Sequence, residues 1–330
     1  MQIVYFFRKP QAQYHSIERV FNLIINSLPA DMSPAIYKLK SGNKGLLSRL
    51  KALLEIVKNK GDYNHITGDI YYVAMVLPRK GLVVTYHDLE SLVRSGGLRS
   101  KVLKWFWVTL PARRAQAVTV ISEHTKKLVV DWSGIPENKI HVIPNPLPNG
   151  FTYHPKSILP NKPALLVIGT KYNKNLERIV EAVSGLSCRL IIAGRLSDLQ
   201  KELLEKHHVE FENLVGATDD QIIDAYKRSD FLCFPSLFEG FGMPIIEAQA
   251  IGRPVITSNL GAMKEVAGGA ALLVDPNSIA DIKAGIVKLL EDNELRAILV
   301  EKGLENALKF DAKALAGKYA KVYENLTNEV

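Results

Sequence analysis

Residues 230–258 read DFLCFPSLFEGFGMPIIEAQAIGRPVITS: a β-rich run, a loop with two glycines, an apolar helical stretch and a second β-rich run. The first strand ends near Ser236. The helix begins at Pro244, because proline suits the first helical position, where its missing N–H costs nothing, and Gly252 ends it. Gly240 and Gly242 let the backbone approach a ligand closely, while the helix start directs unpaired N–H groups and a partial positive charge at whatever lies in front of it. That combination is an anion site by construction. Two carboxylates flank it, Glu239 where the loop starts and Glu247 in the first turn of the helix. A carboxylate can accept two hydrogen bonds from a vicinal diol such as a ribose. Each also has a plainer role, Glu247 in complementing the helix dipole and Glu239 as a solvated loop charge.

Outward from this stretch the same alternation continues. ALLVIG (164–169), CRLIIAG (188–194), FENLVG (211–216) and AALLVD (270–275) read as further strands, with helical patterns at 175–185, 198–207, 219–228, 244–251 and 261–267. A regular βαβ rhythm predicts a doubly wound domain with a parallel sheet. Upstream, IVYFF (3–7), YNHIT (63–67), LVVTYH (82–87), AVTVIS (117–122) and KIHVIP (139–144) predict five strands of a first α/β domain, with amphipathic helices at 15–28 and 45–61. Asp219 and Asp220 are read as helix caps, and His207 and His208 as solvated. The stretch 143–163 holds six prolines and little periodicity. The expected domains are therefore 1–148, a linker at 149–163, 164–310, and a C-terminal helix at 311–330 that packs back toward the first domain. Two such domains facing each other make a cleft, the default place for a ligand.

The 330 residues are 47% hydrophobic and 23% charged, which excludes a disordered or fibrous chain. The two cysteines, Cys188 and Cys233, support neither a disulfide framework nor a cysteine-rich zinc site and fit a reducing, cytoplasmic setting. No apolar run reaches the roughly 20 residues of a membrane-spanning helix, and the opening MQIVYFFRKP reads as a first strand rather than a signal peptide. The net charge of +8 is unevenly spread: residues 1–150 hold 21 Lys+Arg against 10 Asp+Glu, residues 151–330 hold 21 against 24. The basic half suits an anionic surface or acceptor, or is simply a solvated face; it is not read as a nucleic-acid surface. Within it, GGLRSKVLKWFWVTLPARR (96–114) mixes Arg99, Lys101, Lys104, Arg113 and Arg114 with Leu98, Trp105, Phe106 and Trp107. Such a mixture suits an interfacial helix on an anionic membrane, the alternative being an ordinary helix whose aromatics enter the core.

The run EGFGMPIIEAQAIGRPVITS closely resembles the signature of the retaining GT-B glycosyltransferases known as glycosyl transferases group 1: two glutamates separated by seven residues around a Gly-Phe-Gly-x-Pro loop, before a strand beginning Pro-Val. GTKYNKNLERIVEAV, DDQIIDAYKRSDFLCFPS and SNLGAMKEVAGGAALLVDP extend the resemblance through the second half, and VVTYHDL and AVTVISEHTKKLVVDWSGIPENKIHVIPNPL carry it into the first. The resemblance covers roughly residues 62–330. It implies an α/β GT-B fold of two facing Rossmann-like domains with parallel sheets and an interdomain cleft. It further implies a nucleotide sugar held by the second domain, with Glu247 on the ribose, Glu239 by the donor sugar, and backbone N–H groups of Gly240, Phe241, Gly242 and Met243 on sugar or diphosphate. Lys174 matches the lysine that neutralises the diphosphate, and His87 a histidine that faces the donor sugar. Where many members carry Gly-Arg, this chain has Gly169 and Thr170, leaving Lys171 or Arg195 to supply the second cation. The family's N-terminal glycine-rich loop is replaced by FRKPQAQYHSIERVF, so that Arg8, Lys9 and His15 form a basic loop able to meet phosphate.

The reading is a metal-independent retaining transferase without a cofactor, moving a sugar from a nucleotide diphosphate to a glycan or lipid-linked acceptor at the inner face of the cell membrane. No DxD motif occurs, and a lysine with a helix terminus can stabilise a leaving diphosphate. The rivals are a nucleotide-sugar epimerase or glycan phosphorylase on a similar scaffold, and a non-catalytic sugar-nucleotide-binding subunit. A dehydrogenase and a P-loop NTPase lack their glycine motifs.

Overall fold

The computed structural model describes residues 1–10, 16–41, 45–89, 92, 97–156 and 159–328. They form two compact units, Met1–Pro146 with Asp311–Val330, and Leu147–Phe310. His15 and Gly96 lie outside the described residues.

In the first unit, β1 (Gln2–Phe7), β2 (Ser33–Lys38), β3 (Tyr63–Ile66), β4 (Leu82–Tyr86), β5 (Ala117–Val120) and β6 (Ile140–Val142) form a parallel sheet in the order β2-β1-β3-β4-β5-β6. The central strands are covered on both faces, which is why they read as continuous apolar runs. β2 was not expected from the sequence. It is an edge strand, SPAIYK, with residues of alternating exposure, a proline and a terminal lysine, so it presents no apolar run to read.

One face of this sheet packs on helix Ser16–Asn26 and on the C-terminal helix Ala312–Asn328, whose Leu315, Ala316, Tyr319, Tyr323 and Leu326 join Ile3, Tyr5, Phe7 and Phe21 in one core. A buried polar chain pins that helix. The hydroxyls of Tyr5 and Tyr323 are 2.8 Å apart, His65 Nδ1 lies 2.6 Å from Tyr323 and its Nε2 2.6 Å from Thr85, and Thr85 meets Thr119 at 2.5 Å. His65 is thus a satisfied core histidine, its pKa pushed down to about 3 by burial and by nearby His87.

Residues 97–114 do not form one uniform helix: Gly97–Lys104 is α-helical, Trp105–Thr109 is a π-helical turn and Leu110–Arg114 resumes the α-helix. Phe106 and Trp107 pack on the core, with Trp107 edge-on to Tyr72 at 5.7 Å, whereas Trp105 is 52% exposed. The wider turn separates rings that no single narrow helical face could hold.

In the second unit, β7 (Ala164–Ile168), β8 (Arg189–Ala193), β9 (Phe211–Leu214), β10 (Phe231–Phe234), β11 (Val255–Ser258) and β12 (Leu272–Val274) lie parallel in the order β12-β11-β10-β7-β8-β9. Ser197 with Gln200 and Thr218 with Gln221 close capping boxes on helices Asp198–Lys206 and Asp219–Arg228. Thr218, not Asp219 or Asp220, is therefore the cap, and the two aspartates occupy the first turn, where they complement the dipole. The stretch read as a linker at 149–163 belongs to this unit. His154 N donates to Ile251 O at 3.1 Å, His154 O accepts from Arg253 at 2.8 Å, and Lys156 Nζ lies 2.7 Å from the buried Asp230. Proline content signalled irregular backbone there, not separation from the fold.

Candidate functional site

The second unit starts in the middle of its sheet: β7 leads outward to β8 and β9, then the chain returns to lay β10 against the other side of β7. Loops leaving the carboxyl ends of β7 and β10 therefore diverge and open a crevice, the topological switch point of an open parallel sheet. Both sequence-predicted loops meet there.

After β7, Gly169 has φ 90°, and a Cβ on it would stand 2.9 Å from Lys174 Cγ. The lysine chain lies over this glycine, with Nζ 4.7 Å from the centre of the Phe234 ring and 2.5 Å from Glu239 Oε1. Asn173 Nδ2 donates to the same Glu239 oxygen at 3.1 Å and to Phe238 O at 3.2 Å, while Asn173 O accepts from Leu237 N at 2.8 Å. Asn175, buried at φ 63°, donates to Pro235 O at 3.0 Å and to Pro276 O at 2.7 Å. Three consecutive residues thus stitch the β7 loop to the β10 loop. The Lys174 and Glu239 side chains are 18% and 16% exposed, so the pair is largely out of water, where charges act more strongly on a ligand.

After β10, Gly242 at φ 111° precedes helix Met243–Ile251, with Pro244 in its first turn and no side-chain cap. Pro244 carries no N–H and Ile245 N donates to Gly242 O at 2.9 Å, so the helix start faces a ligand with its dipole and with fewer free N–H groups than an open terminus. Glu247 is the fifth residue of this helix, one residue further in than a start at Pro244 gives, and accepts a hydrogen bond from the buried Tyr226 hydroxyl at 2.7 Å. Burial first, then the neighbouring Glu247, raises the Tyr226 pKa far above that of an ordinary tyrosine, so it stays a donor. The Phe241 side chain is buried edge-on to Phe310 at 5.8 Å, leaving its backbone, the part expected to meet a ligand, as the only part that can. Met243 is half-buried. Thr170 Oγ1 donates to Arg195 O at 2.6 Å, which locks the β7 and β8 loops together, while Lys171 and the Arg195 side chain are exposed. Neither Asn173 nor Tyr226 was anticipated; each acts on a glutamate distant in sequence.

In the first unit, His87 follows β4 and is 7% exposed. Its Nε2 lies 2.8 Å from Thr67 O, and since a carbonyl only accepts, Nε2 carries the proton and Nδ1 the lone pair. Burial, opposed by the Thr67 hydrogen bond and aided by the charge of Arg8, pushes its pKa down to about 4, so it is neutral at pH 7. Arg8, expected in a basic phosphate-meeting loop, is committed elsewhere: its Nε donates to Glu18 at 3.0 Å and its guanidinium pairs with Asp69.

One unit of flavodoxin-like strand order and one of Rossmann order, the latter with a glycine loop, lysine and two glutamates at its switch point, define the GT-B class. A glycosyltransferase from Rickettsia africae superposes over 100% of this chain and 99% of its own, with a TM-score of 0.78 at 18% identity. Anabaena HepE in complex with UDP-glucose covers 98% of this chain and 100% of its own, with a TM-score of 0.77 at 16% identity. Residues 152–306 match the family Glycosyl transferases group 1, and residues 16–148 match Glycosyltransferase Family 4. The O-antigen chain mannosyltransferase B of Escherichia coli is 28% identical over 59% of this chain and 57% of its own length. The MMP alpha-(1->4)-mannosyltransferase of Mycolicibacterium hassiacum is 25% identical over 83% of this chain and 74% of its own. The chain thus spans little more than half the length of the first of these relatives.

Proposed function

We propose that this protein is a retaining, metal-independent glycosyltransferase that moves a sugar from a nucleotide diphosphate to a hydroxyl of a glycan or lipid-linked acceptor, in the assembly of a cell-surface polysaccharide or glycolipid. The Lys174–Glu239 pair at the Rossmann switch point, beside an uncapped helix start, carries this reading. As the glycosidic bond breaks, negative charge grows on the departing diphosphate. Lys174 and the dipole at the start of helix Met243–Ile251 are placed to offset it. Glu239 and Asn173 aim the ammonium, and Glu239 also meets the donor sugar. Glu247, steadied by Tyr226, accepts the ribose hydroxyls. His87, neutral with its lone pair on Nδ1, accepts a hydrogen bond from a sugar hydroxyl rather than supplying positive charge.

The relatives named mannosyltransferases make a nucleotide diphosphate mannose the first donor to try. A thermal-shift screen of nucleoside diphosphates and their sugars, followed by a donor hydrolysis and transfer assay, tests the reading. One donor should raise the melting temperature and be consumed. If none stabilises the protein the site assignment fails, and if one stabilises it without turnover the chain is a binding subunit instead.

Peripheral contact with an anionic membrane at the cytoplasmic face belongs to the same proposal. Val102 and Trp105 are exposed beside Lys101 and Lys104. On helix Leu46–Lys58, Leu47, Leu50, Leu54 and Val57 make a second exposed stripe at helical spacing, and its Arg49 lies over the Trp107 ring at 5.4 Å. Flotation with anionic and neutral liposomes decides: anionic vesicles should carry the protein, and failure with both removes the contact.

A further inference from the structure

The first unit carries a cluster of cations that the proposed transfer does not use. Arg79 and Lys80 precede β4, Arg113, Arg114 and Gln116 precede β5, and Lys139 precedes β6; these residues line a cavity of about 430 Å³. The cavity lies at the amino ends of the strands, the opposite end of the sheet from His87. No carboxylate lines it, and among the described residues none of the five cations forms an ion pair. Glu137, two residues before Lys139, pairs with Lys126 at 3.0 Å instead.

The frame around the cluster is rigid. Arg113 Nε donates to Ser133 O at 2.9 Å, and Arg114 Nε and Nη2 donate to Ala74 O at 2.8 Å and Leu77 O at 2.9 Å. These bonds to neutral carbonyls fix both side chains without cancelling their charge, and each guanidinium keeps further N–H groups in hand. Lys139 Nζ donates to Arg113 O at 3.3 Å. Burial, and secondly the charge of Arg79, lower the Lys139 pKa, as follows from two cations held close together. Gln116 Oε1 accepts from Gly81 N at 2.8 Å, and Gly81, at φ 73°, would bring a Cβ to 2.3 Å from Asp62 O, so the loop that presents Arg79 and Lys80 has little room to relax.

Like charges gathered around one open cavity repel one another, and a fixed set of guanidinium forks and ammoniums matches the tetrahedral oxygens of phosphate. We propose that this cavity binds a phosphate or diphosphate group, presented either by a soluble anion or by an anionic lipid headgroup. The site stands apart from the donor machinery and does not depend on the transfer reaction.

Calorimetric titration with inorganic pyrophosphate, and co-sedimentation with phosphatidylcholine vesicles with and without phosphatidic acid, test it on the full chain. The double variant Arg79→Gln/Lys139→Gln removes two charges from the rim, and an unchanged or higher melting temperature will show that it is folded. In a Lys174→Ala background, where the diphosphate site proposed in the other unit is already weakened, the double variant should lower the remaining affinity for pyrophosphate by about tenfold or more. Pyrophosphate binding lost in the double variant identifies a soluble-anion site. Phosphatidic-acid-dependent sedimentation lost in the double variant, without pyrophosphate binding, identifies a headgroup site. If the double variant matches the wild type for both probes, or if neither probe binds, the proposal is overturned.

Discussion

Lys174 is held by a carboxylate on one side and an aromatic face on the other, so its position depends on residues that need never touch a donor. Glu239→Gln keeps the shape but removes the charge that aims the ammonium. Turnover should fall by roughly a hundredfold to a thousandfold, the range for losing one preorganised electrostatic group, with donor affinity little changed. Glu247→Ala should do the reverse, raising the donor Kd while kcat changes less. Steady-state kinetics with direct donor titration will separate the two, and unchanged kinetics in both variants would sink the roles given to them. Gly169→Ala forces a Cβ to within 2.9 Å of Lys174 Cγ at φ 90°. It should cost about 1 kcal/mol of stability and lower kcat/KM beyond what that loss explains. At this scale the sequence was legible where the chemistry is local: Glu239, Gly242 and Glu247 share one loop and one helix. Asn173 and Tyr226 were not, because their partners stand 66 and 21 residues away and nothing local marks the pairing.

Among elements, the C-terminal helix is tied to the sheet by more than apolar contact. Tyr323→Phe removes the hydroxyl that meets both Tyr5 and His65, leaving two buried polar groups short of a partner, and should destabilise the protein by about 1–3 kcal/mol as read from the urea midpoint. The exposed stripe of helix Leu46–Lys58 behaves differently. Leu50→Ser with Leu54→Ser should leave the urea midpoint nearly unchanged while weakening flotation with anionic vesicles; undiminished flotation would take this helix out of the contact. Periodicity revealed the helices and the buried strands, because an apolar face or run is written into consecutive residues. The π-helical turn at Trp105–Thr109 and the edge strand β2 lack such a signal, the first because it breaks the helical period, the second because one of its edges has no neighbour.

For the whole molecule, the two buried histidines of the first unit set its acid limit. In the unfolded chain each titrates near 6.5, whereas in the fold His87 does so at about 4 and His65 at about 3. Between those values the unfolded chain holds protons that the fold rejects, so stability is complete above about pH 6.5, declines as pH falls toward 4, and levels off below 3. Urea midpoints across that range should follow this course, and a midpoint independent of pH between 6.5 and 4 would contradict it. Two α/β domains, and a C-terminal helix at 311–330 returning to the first, were expected from the sequence, but the boundary between them was not: the stretch 149–163, read as a linker, belongs to Leu147–Phe310, an uninterrupted stretch of chain after which the first unit resumes at Asp311. That division has a consequence for synthesis on the ribosome. The second unit can finish folding while the last helix is still in the exit tunnel, yet the first, begun earlier, must wait with Ile3, Tyr5 and Phe21 short of the partners that Leu315 to Leu326 bring. The first unit is therefore completed after the second, and the interval of translation between Pro146 and Asp311 is when it stands most open to chaperones and proteases.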